Sequence, residues 1–251
     1  EYAARGGHLL DFNSVIGDPL LDPHLLERLR YVRSNPKLTE IGFVTNAQWL
    51  HSFPLDAFFD SGITWLGLSL VLSGRDDYRA FFGVDRYETV LQNLERLIVE
   101  NKRRHNPIKL CISLKPTAQP LSAIVTHPDF KRIDALGEFG LAQQAQRMSR
   151  FVDDWSGVVR LPGHLRRRPL YPRLFRPCRC LFSGMVVFSN GAIGLCLCRD
   201  VNADSQLILG NVRTLRLEDA WNSPKAQSLR VQWRRYNTMP VLCRRCSHYL
   251  P

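Results

Sequence analysis

Over the first 115 residues, short apolar runs alternate with longer stretches in which apolar side chains recur every three or four positions. Residues 8–15, HLLDFNSV, form a β-rich run that ends at Ile16-Gly17-Asp18-Pro19, a glycine turn closed by proline. Asp22-Pro23 then offers an N-cap and a first-turn proline to HLLERLRYVRS, where Leu25, Leu26, Leu29, Tyr31 and Val32 fall at near-helical spacing. The unit repeats. EIGFVT at 40–45 predicts a second strand, followed by a helix-compatible segment over 48–59 that Pro54 interrupts. ITWLGLSLV at 63–71 is nearly apolar throughout, the pattern of a parallel strand covered on both faces. Asp85 to Arg104 predicts the clearest helix, with Val90, Leu91, Leu94, Leu97 and Ile98 on one stripe, and PIKLCISL at 107–114 predicts a fourth strand. This alternation specifies the α/β class with a parallel sheet, doubly wound or curled into a barrel.

The rhythm weakens from Lys115 to Gly163. A helix is expected over 137–151 and a strand over 157–161, GVVRL, with Trp155 as a packing residue. The segment 162–177, PGHLRRRPLYPRLFRP, has four prolines and five arginines and reads as a linker, so the expected domains are 1–165 and 166–251. Beyond it, Met185–Phe188 and Ala192–Leu197 flank Ser189-Asn190-Gly191. Asn-Gly between apolar runs is a hairpin signal, because both central residues of a type I′ turn need positive φ. A two-residue turn there sets Met185 opposite Cys196 and Ser183 opposite Cys198, with Cys178 and Cys180 near the open end. LILGNV at 207–212 predicts a strand, and Leu217 to Trp233 a helix restarted at Ser223-Pro224.

Composition changes this picture in two ways. The chain has 251 residues and a net charge of +11, with arginines gathered at 166–168, 173, 176 and 179 and again at 230, 234, 235, 244 and 245. Such clusters attract anionic partners or form an ordinary solvated basic face. No apolar run reaches 18 residues, and the first residues lack the basic-then-apolar order of a secretory signal, so a cytoplasmic chain without a membrane partner is expected. The second change comes from cysteine. Six of the seven lie in the last third, as Cys178, Cys180, Cys196, Cys198, Cys243 and Cys246, in CxC and CxxC pairs typical of metal or redox chemistry rather than a disulfide framework. Cys111, inside an apolar strand, is expected to be a buried small hydrophobe. The histidines form no HxxxH or HxH pair, which argues against a histidine metal site.

Both zinc and iron–sulfur clusters accept four thiolates. Zinc ribbons commonly pair CxxC with CxxC, whereas Cys178 and Cys196 stand 18 apart across a hairpin, a spacing that favours a cluster. Cys178, Gly191, Cys196, Leu209-Gly210-Asn211-Val212, LEDAW at 217–221 and Cys243-x-x-Cys246 follow one another in an order that resembles the SPASM or twitch auxiliary-cluster domain of radical S-adenosylmethionine enzymes. The resemblance implies a 4Fe-4S cluster on Cys178, Cys196, Cys243 and Cys246, and leaves the parts of Cys180 and Cys198 open. More loosely, Gly17-Asp18-Pro19-Leu20-Leu21 resembles the superfamily's turn for the methionyl amino group, Thr45-Asn46 its second strand end, and Ser69 with Arg79 the pair that holds the cofactor carboxylate.

The resemblance implies a partial (β/α)6 barrel followed by a small cysteine-rich domain of β-hairpin and helix. The cofactor would be S-adenosylmethionine, gripped by Gly17, Asp18, Pro19, Asn46, Ser69 and Arg79. It implies hydrogen abstraction by a 5′-deoxyadenosyl radical from a peptide or small-molecule substrate, with a ferredoxin or flavodoxin as reductant. The sequence contains no CxxxCxxC, and Asp18 stands where the superfamily has Glu. A second 4Fe-4S cluster is therefore expected only in a longer chain, of which this sequence would be an inactive fragment, the alternative being a degenerate, non-catalytic relative. The competing reading is a zinc-stabilised basic module that binds nucleic acid or another anion without catalysis; it leaves the glycine turn and the βα rhythm unexplained, so nucleic acid is not the expected partner.

Overall fold

The computed structural model describes residues 1–13, 17–169, 178–196, 199–232 and 239–248. Ile16, Arg173, Arg176, Pro177, Cys198, Arg234 and Arg235 lie outside the described residues. The chain divides into two compact units, Ala3–Ser149 and Arg150–Pro251 joined by Glu1–Tyr2, a division earlier in the chain than the arginine-rich segment. No described helix is long and apolar enough to cross a membrane.

In Ala3–Ser149, β1 (Leu9–Asp11), β2 (Glu40–Thr45), β3 (Trp65–Leu70) and β4 (Lys109–Leu114) form one sheet in chain order, every pair parallel. The helices are α1 (Leu25–Arg33), α2 (Leu55–Phe59), α3 (Arg75–Phe82), α4 (Tyr87–Arg103), α5 (Leu121–Thr126), α6 (Pro128–Gly137) and α7 (Leu141–Gln146). The register pairs Leu10 with Ile41, Val44 with Gly67, and Ser69 with Ser113. Side chains alternate across a strand, so these pairings sort the sheet into two faces. One face carries Ile41, Phe43, Leu66, Leu68 and Leu70, all fully buried in a core with Leu25, Leu29, Leu94 and Leu97 from the helices. The other presents Asp11, Val44, Lys109, Cys111 and Ser113, all exposed, with Trp65 and Ser69 half-buried.

Cys111 is accordingly not the buried hydrophobe expected from its apolar run; it is exposed on the second face. Strand β4 alternates exposed and half-buried positions from Lys109 to Leu114, so it is covered on one side only. The expected α4 forms with its stripe on the core. It also buries Asn93, which donates to the Ala47 carbonyl at 2.8 Å, and Asn101, whose amide donates to the Ile108 carbonyl and accepts from the Ile108 N–H. The expected helix over 137–151 is interrupted: Glu138 (φ 55°) and Gly140 (φ 64°) turn left-handed and leave α7 alone. Helices α3, α5 and α6 were not signalled by periodicity, since each is too short for a helical period to repeat clearly.

In the second unit, β5 (Phe151–Val152) pairs parallel with β6 (Arg166–Arg167), so part of the proline- and arginine-rich segment is strand. The strand expected over 157–161 is absent. A 3-10 turn covers Trp155–Gly157, and Val158 and Val159 are exposed, so that apolar pair has no sheet to join. Helix α8 (Cys180–Ser183) precedes an antiparallel sheet β7 (Val186–Val187), β8 (Ala192–Gly194) and β9 (Ile208–Asn211); α9 (Leu217–Asn222), α10 (Pro224–Gln232) and α11 (Val241–Arg245) follow. The restart at Ser223-Pro224 forms as expected, with the Ser223 hydroxyl accepting from the Ala226 N–H at 3.2 Å.

The hairpin register differs by one residue from the expected one. Val187 pairs with Ile193 and Val186 with Gly194, and the Gly191 N–H donates to the Phe188 carbonyl at 2.8 Å. The loop is the three residues 189–191, with the left-handed position taken by Gly191 (φ 85°). A three-residue loop with glycine in the left-handed position is the next commonest solution to the same Asn-Gly signal, and the one-residue slip exchanges the two faces. Extended pairing beyond Val186 also gives way to α8, which removes Ser183 from its expected place opposite residue 198.

Candidate cofactor turn and cysteine centre

The turn after β1 is organised by one carboxylate. Gly17 (φ 100°) takes a left-handed backbone with open space where a side chain would stand, so glycine is needed there for conformation rather than room. Asp18 then caps the 3-10 turn Pro19–Leu21 by accepting from the Leu20 N–H at 3.0 Å. The same carboxylate accepts from the Thr45 hydroxyl at 2.8 Å and from the Asn46 N–H at 3.0 Å. One aspartate therefore ties the carboxyl end of β1 to the carboxyl end of β2. The Thr45 hydroxyl also accepts from Ala47 N–H, and the Asn46 side chain accepts from Gln48 N–H, which fixes the corner after β2. Gly17, Asp18, Pro19 and Asn46 are thus brought together.

Ser69 and Arg79 are not joined to each other. Ser69 is half-buried on the open sheet face, and Arg79 is exposed on α3, where it acts electrostatically on Asp85. The cation that stands beside Ser69's strand neighbour is Lys115. Its ammonium donates to the Ser113 hydroxyl at 3.2 Å, and Ser113 pairs with Ser69 in register. Burial pulls the Lys115 ammonium below the usual lysine range. On the same face, Asp11 is raised to about 6 by burial of its carboxyl, against the opposing hydrogen bonds from Asn13. Lys115, Ser113 and Asp11 stand outside the apolar periodicity that marks their strands. The signal was the polar alternate, Lys109-Cys111-Ser113-Lys115, with a strand's period of two.

The cysteine centre is built around a small core of Leu181, Leu195, Leu207, Ala226 and Leu229, and Cys178, Cys196 and Cys243 all pack against it. Cys178 directly precedes α8, Cys196 follows β8, and Cys243 lies in α11, so one core gathers thiols from three distant stretches. Cys246, at the carboxyl end of α11, is half-buried. Burial pushes its thiol above the usual cysteine range, Asp153 and Cys178 raise it further, and Arg199 and the His248 backbone oppose them. Cys180 is buried in α8. Among the described residues no three cysteine, histidine, aspartate or glutamate side chains already stand in metal-binding geometry. The donor set nevertheless fits a thiolate-ligated group, with three thiols on one core and a fourth within electrostatic reach of Cys178.

Two aspartates outside the expected set adjoin this centre. Asp153 and Asp154 are buried, Asp153 pairs with the equally buried Arg199 at 2.5 Å, and the Arg199 guanidinium lies over the Trp155 ring at 4.9 Å. Arg230 lies over the Trp221 ring at 4.1 Å and donates to the Leu181 carbonyl at 2.9 Å. Arg199 and Arg230 therefore serve internal pairings rather than a solvated basic face.

Residues 178–247 match the SPASM family, an iron–sulfur cluster-binding domain. A GTP 3',8-cyclase of Chlorobaculum tepidum is 32% identical over 82 residues, 33% of this chain and 24% of that protein. The match spans about a quarter of that relative's length. The crystal structure of BtrN in complex with AdoMet and 2-DOIA shares the fold with a TM-score of 0.59 at 15% identity, over 98% of this chain and 75% of that one. Residues 178–247 thus resemble a SPASM iron–sulfur domain, and the chain shares its fold with BtrN.

Proposed function

We propose that this chain belongs to a radical S-adenosylmethionine enzyme that abstracts hydrogen from a peptide or small-molecule substrate. In this reading Cys178, Cys196, Cys243 and Cys246 hold an auxiliary 4Fe-4S cluster. The convergence of three of these thiols on one five-residue core carries the proposal. The cofactor and clusters supply radical formation and electron transfer; the residues of this chain bind, orient and shield. Gly17, Asp18, Pro19 and Asn46 form the corner that receives the amino-acid end of S-adenosylmethionine. Its backbone groups line the carboxyl ends of parallel strands, where open α/β sheets bind ligands, and Asp18 keeps the corner closed. Ser69 lines the open face beside it.

Arg79, exposed on α3, is assigned to the cofactor carboxylate, and Lys115 with Ser113 adds a second cationic position on the same face as Ser69. The raised Asp11 carboxyl gives that face a group able to hold a proton near neutrality. Electrons come from a ferredoxin or flavodoxin. The test is anaerobic preparation with iron and sulfide. About four irons per chain, lost in Cys243→Ala, is the expected result. One bound zinc and no iron overturns the proposal. A fall in S-adenosylmethionine affinity in Asp18→Ala, measured by calorimetry, tests the corner separately.

A further inference from the structure

The segment Arg245-Cys246-Ser247 is gripped from both sides by one turn. Asp153 accepts from the Ser247 hydroxyl at 2.7 Å on one carboxylate oxygen and pairs with Arg199 at 2.5 Å on the other. Asp154 pairs with Arg167 at 3.0 Å, and the Arg167 guanidinium donates onward to the Arg245 carbonyl. The residue before Cys246 and the residue after it are thus each held by one of two adjacent aspartates. Helix α11 packs on the same turn.

The turn is an expensive one to hold. Trp155 (φ 52°), Ser156 (φ 61°) and Gly157 (φ 90°) are consecutively left-handed, a backbone that side-chain-bearing residues avoid. Asp153 and Asp154 are 8% exposed and Ser156 is 6% exposed, and the Asp154 Oδ1 and the Ser156 hydroxyl have no hydrogen-bond partner among the described residues. A chain that needed only to link β5 to β6 had cheaper turns available. Strain and buried charge persist where surrounding contacts over-determine them, and here those contacts converge on Cys246.

We propose that Asp153 and Asp154 are positioning residues that orient Cys246 for cluster ligation, acting through Ser247 and through Arg167 on the Arg245 carbonyl. This rests on the reading of Cys246 as a cluster ligand. Outer partners of this kind set the direction of a ligand and tune the group it holds. Neither aspartate touches the cluster, and neither is a ligand.

The experiment uses the whole chain, reconstituted and as apoprotein. In Asp153→Ala and Asp154→Ala, iron retention against a chelator falls roughly 10–100-fold. The cluster's midpoint potential and electron paramagnetic resonance signal shift, and Asp153→Glu recovers part of both. Hydrogen exchange of residues 241–248 in the apoprotein rises, while exchange in Ala3–Ser149 is unchanged. Ser247→Ala, which leaves the buried charges intact, reproduces a smaller version and guards against a variant that fails to fold. Wild-type iron retention, potential and exchange in both aspartate variants overturn the proposal. If the wild-type chain takes up zinc but residues 241–248 still loosen in the variants, the cluster reading fails while the grip on Cys246 stands.

Discussion

In Ala3–Ser149 the apolar core is continuous, running through whole strand faces such as Ile41-Phe43 and Leu66-Leu68-Leu70 and into the stripe of α4, whereas the cysteine-rich unit gathers its thiols on Leu181, Leu195, Leu207, Ala226 and Leu229. The first unit has extended parallel strands paired over as many as six residues; the second has strands of two to four. Small cores rarely stabilise a fold alone, and metal ligation is one common supplement. The contrast gives the two units different sources of order: apolar burial in one and, in the reading proposed above, thiol ligation in the other, where the Asp153–Arg199 and Asp154–Arg167 pairs fix local geometry.

The largest effect expected from this contrast is in Cys243→Ala. Iron falls from about four per chain to nearly none, and hydrogen-exchange protection across 178–247 collapses while that of Ala3–Ser149 persists. Equal loss of protection in both units would erase the distinction. The reciprocal change is Phe43→Ala, which empties a fully buried ring position beneath β2 and costs about 3–5 kcal/mol by denaturant unfolding of the first unit. Iron content stays at the wild-type value. Asp18→Ala is next. It removes a cap and leaves the buried Thr45 hydroxyl without its acceptor, for about 1–3 kcal/mol. S-adenosylmethionine affinity falls with it, and a larger loss of affinity than of stability identifies the corner as a binding site rather than a brace.

The smallest effect is electrostatic and confined to the open face. Asp11 has its folded-state pKa raised to about 6 from the ordinary 3.8 by burial of its carboxyl. The folded state therefore holds that proton more tightly than the unfolded one, and stability falls as pH rises from about 4 to about 6 and then levels. The residue remains exposed, which limits the change to less than about 1 kcal/mol. Asp11→Asn flattens that slope in pH-dependent thermal unfolding, and an unchanged slope refutes the assignment.

How much of this was legible before folding varies by element. The parallel strands, α4 and the Ser223-Pro224 restart follow from side-chain periodicity and capping chemistry, which act within a few residues. The Asn190-Gly191 turn was legible as a turn, but not its loop length, because two- and three-residue loops share the same residues and differ only in how the strands close. Among the residues proposed for the cofactor, Gly17, Asp18, Pro19 and Asn46 converge through hydrogen bonds between segments 27 and 28 residues apart, while Arg79 stays apart from Ser69.

By itself the amino-acid sequence determined the α/β class, the CxxC and the Asn190-Gly191 hairpin, because period, turn residues and spacing are local quantities. Only the tertiary structure decided which sheet face is open, which moves Cys111 to the surface and Lys115 beside Ser113. It also decided that Asp153 and Asp154 reach the residues flanking Cys246 across some 90 positions. The reason is physical: burial and ion pairing depend on what the rest of the chain brings to a position, and a carboxylate reads alike in sequence whether it faces water or a buried guanidinium.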